Sequence, residues 1–440
     1  MTLEDYLEQD ARRYPDKVAV VCGAEVVSYA ELYDRVLARC RALKQQSYQP
    51  GQIVPLRASQ TVDFLIQYFA LHRIGCVVAP LERDTPEMLF DTIARRLAPH
   101  QAPAGTADIL YTTGTTGKPK GVMVSHRAII ADAENLIDGQ GFCHDLAFVV
   151  NGPLNHIGSL SKVYPVVLTG ATLIITDGLK DINAYFEAFT FAADRFATFL
   201  VPASIRILIQ FAADRLAALA AKMDFVETGA AAISHDDMLR LCQLLPHSRL
   251  YNTYASTETG IISTYNFNDG RCMAGCLGRP MRHSRILITD NGCIACQGPT
   301  LMTGYIGEPE RTASILKDAT LYTADLGRID HEGMLHLSGR QDDVINVGGF
   351  KVAPTEVEDA ALSYPGITDC VCIAARHPIT GVALKLLVVT SEATVNKKAL
   401  ATYLKQRLEP YKVPLLYEQV EVVKRTFNGK VDRKFYHQTQ

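Results

Sequence analysis

The sequence predicts an α/β protein in which a parallel, doubly wound sheet is followed by a small α+β domain. Helix and strand patterns alternate along most of the chain, which is the order that crossover helices between parallel strands require. With 440 residues the chain is too long for one ordinary core, so we expect two or three domains. The composition changes around "GRQDDVINVGGFKVAPTEVED", which predicts a boundary between residues 1–341 and residues 342–440.

The first elements alternate between helical and strand periods. A helix begins at Leu3, "KVAVVCGAEVVSY" predicts two strands around a glycine turn, and "YAELYDRVLARCRAL" has the apolar spacing of a helix. Residues 60–80 predict a helix that leads into "GCVVAPL", and the alternation continues through "GATLIIT", "FATFLVPASIRILIQ" and "KMDFVETGAAAIS". The apolar run "VYPVVLTGATLIITDG" is short and interrupted, so it predicts buried strand and no membrane span.

The small domain is predicted by the residues after the boundary. A helix begins at Pro354, strands follow in "DCVCIAAR" and "ALKLLVVT", and "NKKALATYLKQRL" predicts a basic helix before a polar tail. The turn Gln341-Asp342-Asp343 is the expected hinge.

The composition gives no indication of a nucleic-acid or membrane partner and favours a reducing compartment. The net charge is −3 and 21% of residues are charged, so bulk charge favours neither nucleic acid nor a membrane surface. The charged N-terminus has no apolar signal segment, and eleven scattered cysteines favour free thiols in the cytoplasm. Four cysteines have a spacing that zinc sites also use, at Cys272, Cys276, Cys293 and Cys296. Strand alternation would point the last two to opposite faces, so we expect small buried side chains there.

A loop rich in phosphate-binding groups lies at "YTTGTTGKPKG", residues 111–121, between the strand "ADILYTT" and the helix "HRAIIADAENLI". Glycines let backbone N–H groups turn toward an anion, threonine hydroxyls add donors and lysines add charge. It is not a Walker A loop, because Pro119 stands where a Ser or Thr should follow the lysine. A surface turn is the alternative. The candidate phosphate ligands are Thr112, Thr113, Gly114, Thr115, Thr116, Gly117, Lys118 and Lys120.

Five motifs in order resemble the adenylate-forming superfamily, which includes acyl- and aryl-CoA synthetases, peptide-synthetase adenylation domains and firefly luciferase. After the threonine-glycine loop come "YNTYASTETG" (251–260), "YTADLGRID" (322–330), "GRQDDVINVGGFKVAPTEVE" (339–358) and "RTFNGKVDRK" (425–434). The resemblance implies a large N-terminal domain of layered sheets and helices with a small mobile α+β lid. It also implies the use of ATP, Mg²⁺ and coenzyme A.

The resemblance assigns nucleotide recognition to residues in these motifs. Tyr254 resembles the aromatic residue that lies against adenine, and Asp325 resembles the carboxylate that accepts both ribose hydroxyls. Arg340 would add donors near the ribose and phosphate. The small residues under the adenine correspond to Gly229, Ala230 and Ala231. The other nucleotide- or CoA-binding candidates of the motifs are Asn252, Ala255, Ser256, Gly349 and Lys351.

Adenylation brings a carboxylate against the α-phosphate of ATP, so a cation must offset the repulsion of two anions. Lys430 matches the family lysine that bridges both groups, whereas a solvated tail lysine is the alternative. Glu258 is an oxygen ligand suited to Mg²⁺, and Thr257 can donate to the α-phosphate. His156 in "PLNHIGS" matches the element that lines the acyl tunnel, and a structural role is its alternative.

The chain also departs from the family pattern. Ala255 replaces the usual glycine and narrows the predicted acyl channel. "NHIGSLSK" contains no aspartate for an α-amine, which argues against an α-amino acid. Lys162 in this stretch could meet a second acidic group on the substrate, although a lysine on the helix surface is the expected alternative. Only about thirty residues separate "VVAPLERD" from the phosphate loop, fewer than the family pattern implies.

The sequence therefore predicts a carboxylate–CoA ligase that forms acyl-AMP from an aryl or medium-size acyl acid and transfers the acyl group to coenzyme A. The resemblance assigns Lys430 to the formation of acyl-AMP and the turn 348–351 to the formation of the thioester. Because both lie in one small domain, the lid must rotate about Asp342 between the two steps. The alternatives are an acyl-AMP ligase that loads an acyl carrier protein or an amine, and a non-catalytic nucleotide-binding module.

Overall fold

The computed structural model describes residues 1–112, 120–347, 350–377, 381–391, 393–426 and 431–438. The helices of these ranges are α1 (Leu3–Arg13), α2 (Tyr29–Gln45), α3 (Val62–Arg73), α4 (Glu87–Leu97), α5 (His126–Gln140), α6 (Ile157–Thr169), α7 (Ile182–Glu187), α8 (Pro202–Phe211), α9 (Ala213–Ala218), α10 (His235–Leu244), α11 (Pro309–Ile315), α12 (Pro354–Leu362), α13 (Lys397–Lys405) and α14 (Arg433–Gln438). Short 3-10 turns lie at Ala188–Thr190, Gln341–Asp343 and Pro410–Lys412.

The strands of the same ranges are β1 (Val18–Cys22), β2 (Glu25–Ser28), β3 (Ile53–Ala58), β4 (Val77–Glu82), β5 (Thr106–Thr112), β6 (Lys120–Ser125), β7 (Leu146–Val150), β8 (Thr172–Ile175), β9 (Arg195–Leu200), β10 (Met223–Thr228), β11 (Arg249–Ser256), β12 (Gly260–Asn266), β13 (Cys276–Pro280), β14 (Arg285–Ile288), β15 (Cys293–Gln297), β16 (Gly304–Tyr305), β17 (Leu316–Lys317), β18 (Thr320–Ile329), β19 (Leu335–Arg340), β20 (Ile345–Val347), β21 (Phe350–Val352), β22 (Ile367–His377), β23 (Gly381–Thr390) and β24 (Leu416–Gln419).

The largest sheet mixes parallel and antiparallel strands. Its middle is parallel, in the order β11-β10-β9-β7-β8-β1. Antiparallel strands extend both edges, with β2 on one side and β12, β13, β19, β18, β15 and β14 on the other. The predicted parallel, doubly wound sheet is therefore correct for the middle, and the two strands predicted around a glycine turn are confirmed as the antiparallel pair β1–β2 at one edge. The antiparallel strands β12, β13, β19 and β18 toward the other edge were not predicted. The connections from β11 to β12 and from β14 to β15 are too short for a parallel crossover.

A second sheet has the order β16-β6-β5-β4-β3. Its strands β5 and β6 are antiparallel, with Thr112 opposite Lys120, so the predicted phosphate loop joins two neighbouring strands. The helix predicted at "HRAIIADAENLI" is confirmed and begins at His126, and the apolar, buried residues 121–124 between the loop and this helix continue β6. At about 3.3 Å per residue, β6 separates the start of α5 from the loop by roughly 16 Å.

The main core joins both sheets with helices α1, α2, α3, α5 and α6. Phe148 and Phe225 belong to this core, whereas Val149 and Val226 belong to a second cluster on the opposite face of the same strands. Burial on both faces is expected of a parallel sheet covered by helices. The ends of the strands are then the place where polar side chains can reach a ligand.

A small C-terminal domain follows the large one, as predicted. Strands β22 and β23 are antiparallel, β24 adds in parallel, and α12 and α13 pack on them around a separate core. The strand β24 and the helix α14 lie in the part that the sequence indicated only as a polar tail. The turn Gln341–Asp343 lies at the predicted boundary, whose position remains a prediction.

The apolar run around residues 163–178 is partly helical, contrary to the strand prediction. Helix α6 continues through Thr169 despite Pro165, then Gly170 ends it with a left-handed φ of 62°, and β8 follows. Among the described residues, every helix is too short or too polar to cross a membrane.

Candidate active site

Three strands bring a phenol, a carboxylate and a guanidinium together. Tyr254 on β11 donates its hydroxyl to Asp325 Oδ2 at 2.6 Å, and Arg340 Nη1 donates to Asp325 Oδ1 at 2.7 Å. Asp325 and Arg340 are direct partners in the antiparallel pair β18–β19. Burial, together with the Asp325 carboxylate, raises the pKa of Tyr254 well above its usual value, so the phenol stays a donor. Asp325 is thus an oriented acceptor that retains lone pairs for further hydroxyl groups.

Arg340 has donors beyond the bond to Asp325. Its Nε is buried and has no hydrogen-bond partner within the described ranges, and its Nη2 lies 3.8 Å from Asp342 Oδ2 in the hinge turn. A buried N–H without a partner costs free energy until a polar group satisfies it. Arg340 therefore provides a donor for a polar ligand group beside Asp325.

The turn after β10 is built from small residues. The Gly229 backbone lies close to β11, because a Cβ there would be 2.9 Å from the Thr253 carbonyl oxygen. Ala230 is exposed with a φ of 67°, and Ala231 is half-buried. A left-handed non-glycine residue costs of the order of 1–3 kcal/mol, and such residues cluster at functional sites. The turn lies at the C-terminal end of a parallel strand, which fits the predicted adenine position.

The hairpin between β11 and β12 presents Thr257 and Glu258 at its tip, both half-buried. Two reciprocal bonds close the turn: Ser256 N donates to Thr259 Oγ1 at 3.0 Å, and Thr259 N donates to Ser256 Oγ at 3.1 Å. The Ser256 hydroxyl therefore already has a partner within the turn. Asn252, another predicted nucleotide contact, is buried and donates to the Cys276 carbonyl at 2.9 Å.

Helix α5 fixes this hairpin through polar side chains on its buried face. Asp132 Oδ1 accepts from Ile261 N at 2.8 Å, and Asn135 Nδ2 donates to Ile261 O at 2.8 Å. A Cβ at Gly260 would lie 2.5 Å from Asp132 Oδ1, so the close approach of the helix requires glycine there. Burial raises the pKa of Asp132 to about 8. Sequence reasoning missed both side chains, and polar residues three apart on an apolar helix face were the available signal.

The end of β5 and the start of β6 form the phosphate side of the site. Thr112 Oγ1 is buried and has no partner among the described residues, and Lys120 stands opposite it in the strand pair. Lys120 Nζ lies 5.3 Å from the centroid of the Tyr305 ring, and Tyr305 donates to Glu258 Oε1 at 2.9 Å. Burial lowers the pKa of Lys120, and the positive charge of the nearby Arg311 lowers it further. Tyr305, which the sequence analysis did not single out, thus links the phosphate side to the Glu258 hairpin.

Eight predicted site residues lie outside the described ranges: Thr113, Gly114, Thr115, Thr116, Gly117, Lys118, Gly349 and Lys430. Their roles remain predictions. Lys351 is exposed on β21, opposite Asn346 of β20. His156 is the half-buried N-cap residue of α6, and Ala255 packs against the main core.

Lys162 does not lie on the helix surface, so that expectation was wrong. Its Nζ donates to Glu227 Oε1 at 2.8 Å, and both side chains are only 1% exposed. Residues 159–167 of α6 are all buried, because this helix packs on α5 and inside the main core. Helical periodicity shows the faces of a helix but does not show how many of them a neighbour covers.

The ring of Phe199 separates this ion pair from the predicted nucleotide turn. Lys162 Nζ lies 5.2 Å from the ring centroid, and a Cβ at Gly229 would lie 3.8 Å from the ring. A Cβ at Gly158, in the first turn of α6, would be 3.2 Å from the same ring. The ion pair between Lys162 and Glu227 is therefore separated from the C-terminal end of β10 by one aromatic ring.

The four cysteines with zinc-like spacing are buried in different surroundings. Cys276 belongs to the cluster on the second face of the large sheet, whereas Cys296 belongs to the main core. Cys293 Sγ contacts Gln341 Oε1 at 3.3 Å. All eleven cysteines are free thiols, and the interpretation of these four as small buried side chains is confirmed.

The described residues fit the groups that the motifs imply. Asp325 and Arg340 offer acceptors and a spare donor for a ribose, and the partnerless Thr112 hydroxyl can meet a phosphate oxygen. The Glu258 carboxylate accepts one bond from Tyr305 and retains oxygen lone pairs of the kind that Mg²⁺ prefers.

Comparison with known proteins covers nearly the whole chain. The profile of the AMP-binding enzyme family matches residues 7–96 and 90–306, and that of the AMP-binding enzyme C-terminal domain matches residues 356–430. A feruloyl-CoA synthase from an Amycolatopsis species is 28% identical over 482 aligned positions that cover 96% of this chain and 95% of that protein. Since the chain has only 440 residues, the relative carries segments that this chain lacks, as the short spacing before the phosphate loop suggested.

Solved structures agree with the fold. ATP-bound MatB from Rhodopseudomonas palustris superposes with a TM-score of 0.88 at 24% identity, covering 100% of this chain and 99% of MatB. The amide bond synthetase McbA from Marinactinospora thermotolerans gives a TM-score of 0.87 at 22% identity, covering 99% of each chain. Together with the profile matches, which span more than half of the sequence, these likenesses confirm the resemblance drawn from the five motifs. The chain belongs to the AMP-binding enzyme family, the adenylate-forming enzymes, and carries the C-terminal domain of that family.

Proposed function

We propose that the protein is an ATP-dependent carboxylate–CoA ligase. It activates an aryl or medium-size acyl acid as acyl-AMP, releases pyrophosphate and transfers the acyl group to the thiol of coenzyme A. The observation that carries this function is the cluster of Tyr254, Asp325 and Arg340, an oriented ribose acceptor within an AMP-binding enzyme. A feruloyl-CoA synthase that aligns over nearly all of both chains supports the choice of a CoA ligase. Eleven free thiols fit a reducing compartment, so we place the reaction in the cytoplasm.

The chain orients ATP from both ends. Asp325 accepts the ribose hydroxyls, and the turn 229–231 leaves room for the adenine. Thr112 and Thr257 donate to phosphate oxygens, and Lys120 adds positive charge. Such fixed donors stabilise developing charge without reorganising during the reaction.

Lys430 supplies the cation between the acid and the α-phosphate, and its described flanking residues support this role. Arg425 and Val431 form an antiparallel bridge on either side of it, and Arg425 donates to Asp369 at 2.7 Å. Asp369 in turn lies 3.9 Å from Arg206 Nη1 in the first turns of α8, directly after β9. The flanks of Lys430 are thus near the C-terminal ends of the parallel strands.

Glu258 is the residue that would hold Mg²⁺, with Tyr305 orienting its carboxylate. When bound, the ion neutralises charge on the phosphate oxygens. Glu258 follows Thr257 at the tip of a hairpin that α5 fixes from behind through Ile261. The carboxylate is therefore held by the rigid part of the fold.

The acid lies between His156 and the Phe199 ring in this proposal. Lys162 and Glu227 neutralise each other behind the ring, so neither charge is free to meet a second carboxylate of a substrate. The aromatic surface of Phe199 favours an aryl or apolar acyl group. This replaces the idea that Lys162 pairs with an acidic substrate.

The second step needs a different placement of the small domain. We propose that the domains divide as 1–341 and 342–440 and that the turn Gln341–Asp343 is the hinge between them. Gly349 and Lys351 then approach the acyl group together with coenzyme A. The likeness to an amide bond synthetase favours an amine acceptor as the second candidate, and an acyl carrier protein would use the same approach.

Two assays on the full chain test the function. The first measures pyrophosphate release with a panel of aryl, medium-chain and dicarboxylic acids, where we expect dependence on an aryl or medium-chain acid. The second adds coenzyme A, holo carrier protein or amines to the best acid and identifies the acylated product. Absence of acid-dependent pyrophosphate release across the panel would leave only a nucleotide-binding module. Acyl-AMP formation with transfer to amines alone would establish the second candidate.

A further inference from the structure

A buried cluster of titratable side chains lies outside the candidate active site, where four elements meet. Glu4 on α1, His72 on α3 and Asp108 on β5 are at most 4% exposed. His72 Nδ1 is 3.0 Å from Glu4 Oε1, and His72 Nε2 is 3.1 Å from Asp108 Oδ1. The half-buried His126, at the start of α5, completes the group. The candidate reaction uses none of these side chains.

His126 adds a third ligand atom. Its ring centroid is 5.2 Å from that of His72, and its Nδ1 is buried without a hydrogen-bond partner among the described residues. One ligand atom from each of Glu4, His72 and His126 lies within 4.8 Å of the other two. A single ion with bonds of about 2.0–2.2 Å holds ligand atoms no more than about 4.4 Å apart, so small side-chain rotations suffice to bring these three atoms around one ion.

Asp108 and Tyr68 orient His72 from behind. Tyr68 donates to Asp108 Oδ2 at 2.8 Å, and Asp108 Oδ1 accepts from the Nε2–H of His72. This hydrogen bond directs the Nδ1 lone pair of His72 toward Glu4. A carboxylate on the far side of an imidazole is the usual support of a metal-bound histidine.

We propose that Glu4, His72 and His126 bind one Zn²⁺ ion, with Asp108 as the positioning residue of His72. Two imidazoles and one carboxylate suit this ion, and the ion would join α1 to α3 and α5. A surface cavity of about 480 Å³ borders Glu4 and His72 and offers an entry path with room for a water ligand. Arg41, Lys44 and Arg73 also line the cavity, so we expect slow loading.

Metal binding by the untagged full chain tests this site. The protein is stripped with a chelator, then titrated with Zn²⁺ and, separately, with Co²⁺, which absorbs visible light in tetrahedral sites. We expect one equivalent of tightly bound Zn²⁺, a visible Co²⁺ spectrum and a higher Tm after loading. His126→Gln should abolish the Co²⁺ spectrum, and Asp108→Asn should weaken Zn²⁺ binding by about 10–100-fold.

Two controls separate the site from other metal-binding positions. His283→Gln removes a histidine that pairs with Glu134 at the surface, and Glu258→Gln removes the carboxylate proposed for Mg²⁺. Both should keep the one-equivalent binding of the unchanged protein. If His126→Gln does not fold, Glu4→Gln serves instead. The proposal fails if the unchanged chain binds no stoichiometric Zn²⁺, or if one-equivalent binding survives in His126→Gln or in Glu4→Gln.

Discussion

The ribose end and the acid end of the candidate active site use charged groups in opposite ways. At the ribose end, Asp325 lies between Tyr254 and Arg340, and the Arg340 side chain is 41% exposed. At the acid end, Lys162 and Glu227 are each 1% exposed and contact each other. The first cluster can still bind a ligand, whereas the second has no accessible charge.

This difference shows that a charged residue near an active site need not recognise anything. Arg340 is partly exposed, and its buried Nε has no hydrogen-bond partner among the described residues, so it keeps a donor for a ligand. Groups buried like Lys162 must be neutralised by the protein itself, because the desolvation penalty of a lone buried charge is several kcal/mol. In the proposed function, the ribose end therefore binds its ligand through charged groups, and the acid end binds through shape and apolar surface.

Breaking the buried pair should give the largest effect. Lys162→Met leaves the Glu227 carboxylate buried without its cation, and we expect a loss of about 3–5 kcal/mol in the free energy of unfolding. The double variant Lys162→Met/Glu227→Leu removes both charges and should recover most of the loss. Urea denaturation of the full chain measures both changes. Lys180→Met, at an exposed position, is the matched control. A double variant as unstable as the single one would contradict the pairing.

Lys430 is the cation that the proposed function assigns to the reaction between the acid and ATP. Lys430→Ala should lower carboxylate-dependent ATP–pyrophosphate exchange by a factor on the order of 10²–10³, because a preorganised positive group is lost where two anions meet. ATP should still bind. Lys424→Ala, an exposed lysine of the same segment, should leave the exchange rate unchanged. Near-normal exchange in Lys430→Ala would refute the assigned role.

Asp325→Asn tests the ribose end directly. The amide keeps the shape of the side chain but loses the ionised acceptor, and hydrogen bonds to charged groups contribute about 1.5–3 kcal/mol. We therefore expect KM for ATP to rise about tenfold to a hundredfold, with a smaller effect on kcat. Asp330→Asn changes an aspartate that pairs with His336 at the end of the same strand pair and should not change KM. An unchanged KM in Asp325→Asn would remove the ribose role.

The motifs predicted those site residues that lie within a motif of the family. Asp325 and Arg340 were both singled out, and their strand pairing brings them together as expected. Tyr254 was assigned to the adenine, and its hydrogen bond to Asp325 was not foreseen. That bond joins residues 71 positions apart, and no local pattern indicates such a contact.

The same limit explains the larger misses. Lys162 meets Glu227 across 65 positions, and Asp132 meets Ile261 across 129. Lys162 had an ordinary surface interpretation in its own helix, and Asp132 was not singled out, because the element that covers each of them is encoded elsewhere in the chain. The antiparallel strands β12, β13, β18 and β19 were missed for a related reason, since alternation of helix and strand predicts only the parallel middle of the sheet.

The smallest expected effect on activity concerns the buried carboxyl behind the Glu258 hairpin. Burial raises the pKa of Asp132 to about 8, so the folded protein keeps a proton that the unfolded chain loses near pH 4. The free energy of unfolding should therefore fall as pH rises from about 4 to about 8. Burial also raises the pKa of Asp10 to about 6 and that of Asp359 to about 7, with the same sign, so the part of the slope that Asp132→Asn removes is the part that reports Asp132.

Asp132→Asn should flatten the slope above pH 6 while keeping the Oδ1 acceptor for Ile261 N, so pyrophosphate release should change little. Denaturation measured between pH 6 and pH 8 gives the slope, and Asp138→Asn, at an exposed position of the same helix, should leave it unchanged. A slope in Asp132→Asn equal to that of the unchanged chain would mean that this carboxyl is ionised in the core. Asp132 would then need the charge of Lys162, and the acid end would hold one cation shared by two carboxylates instead of a closed pair.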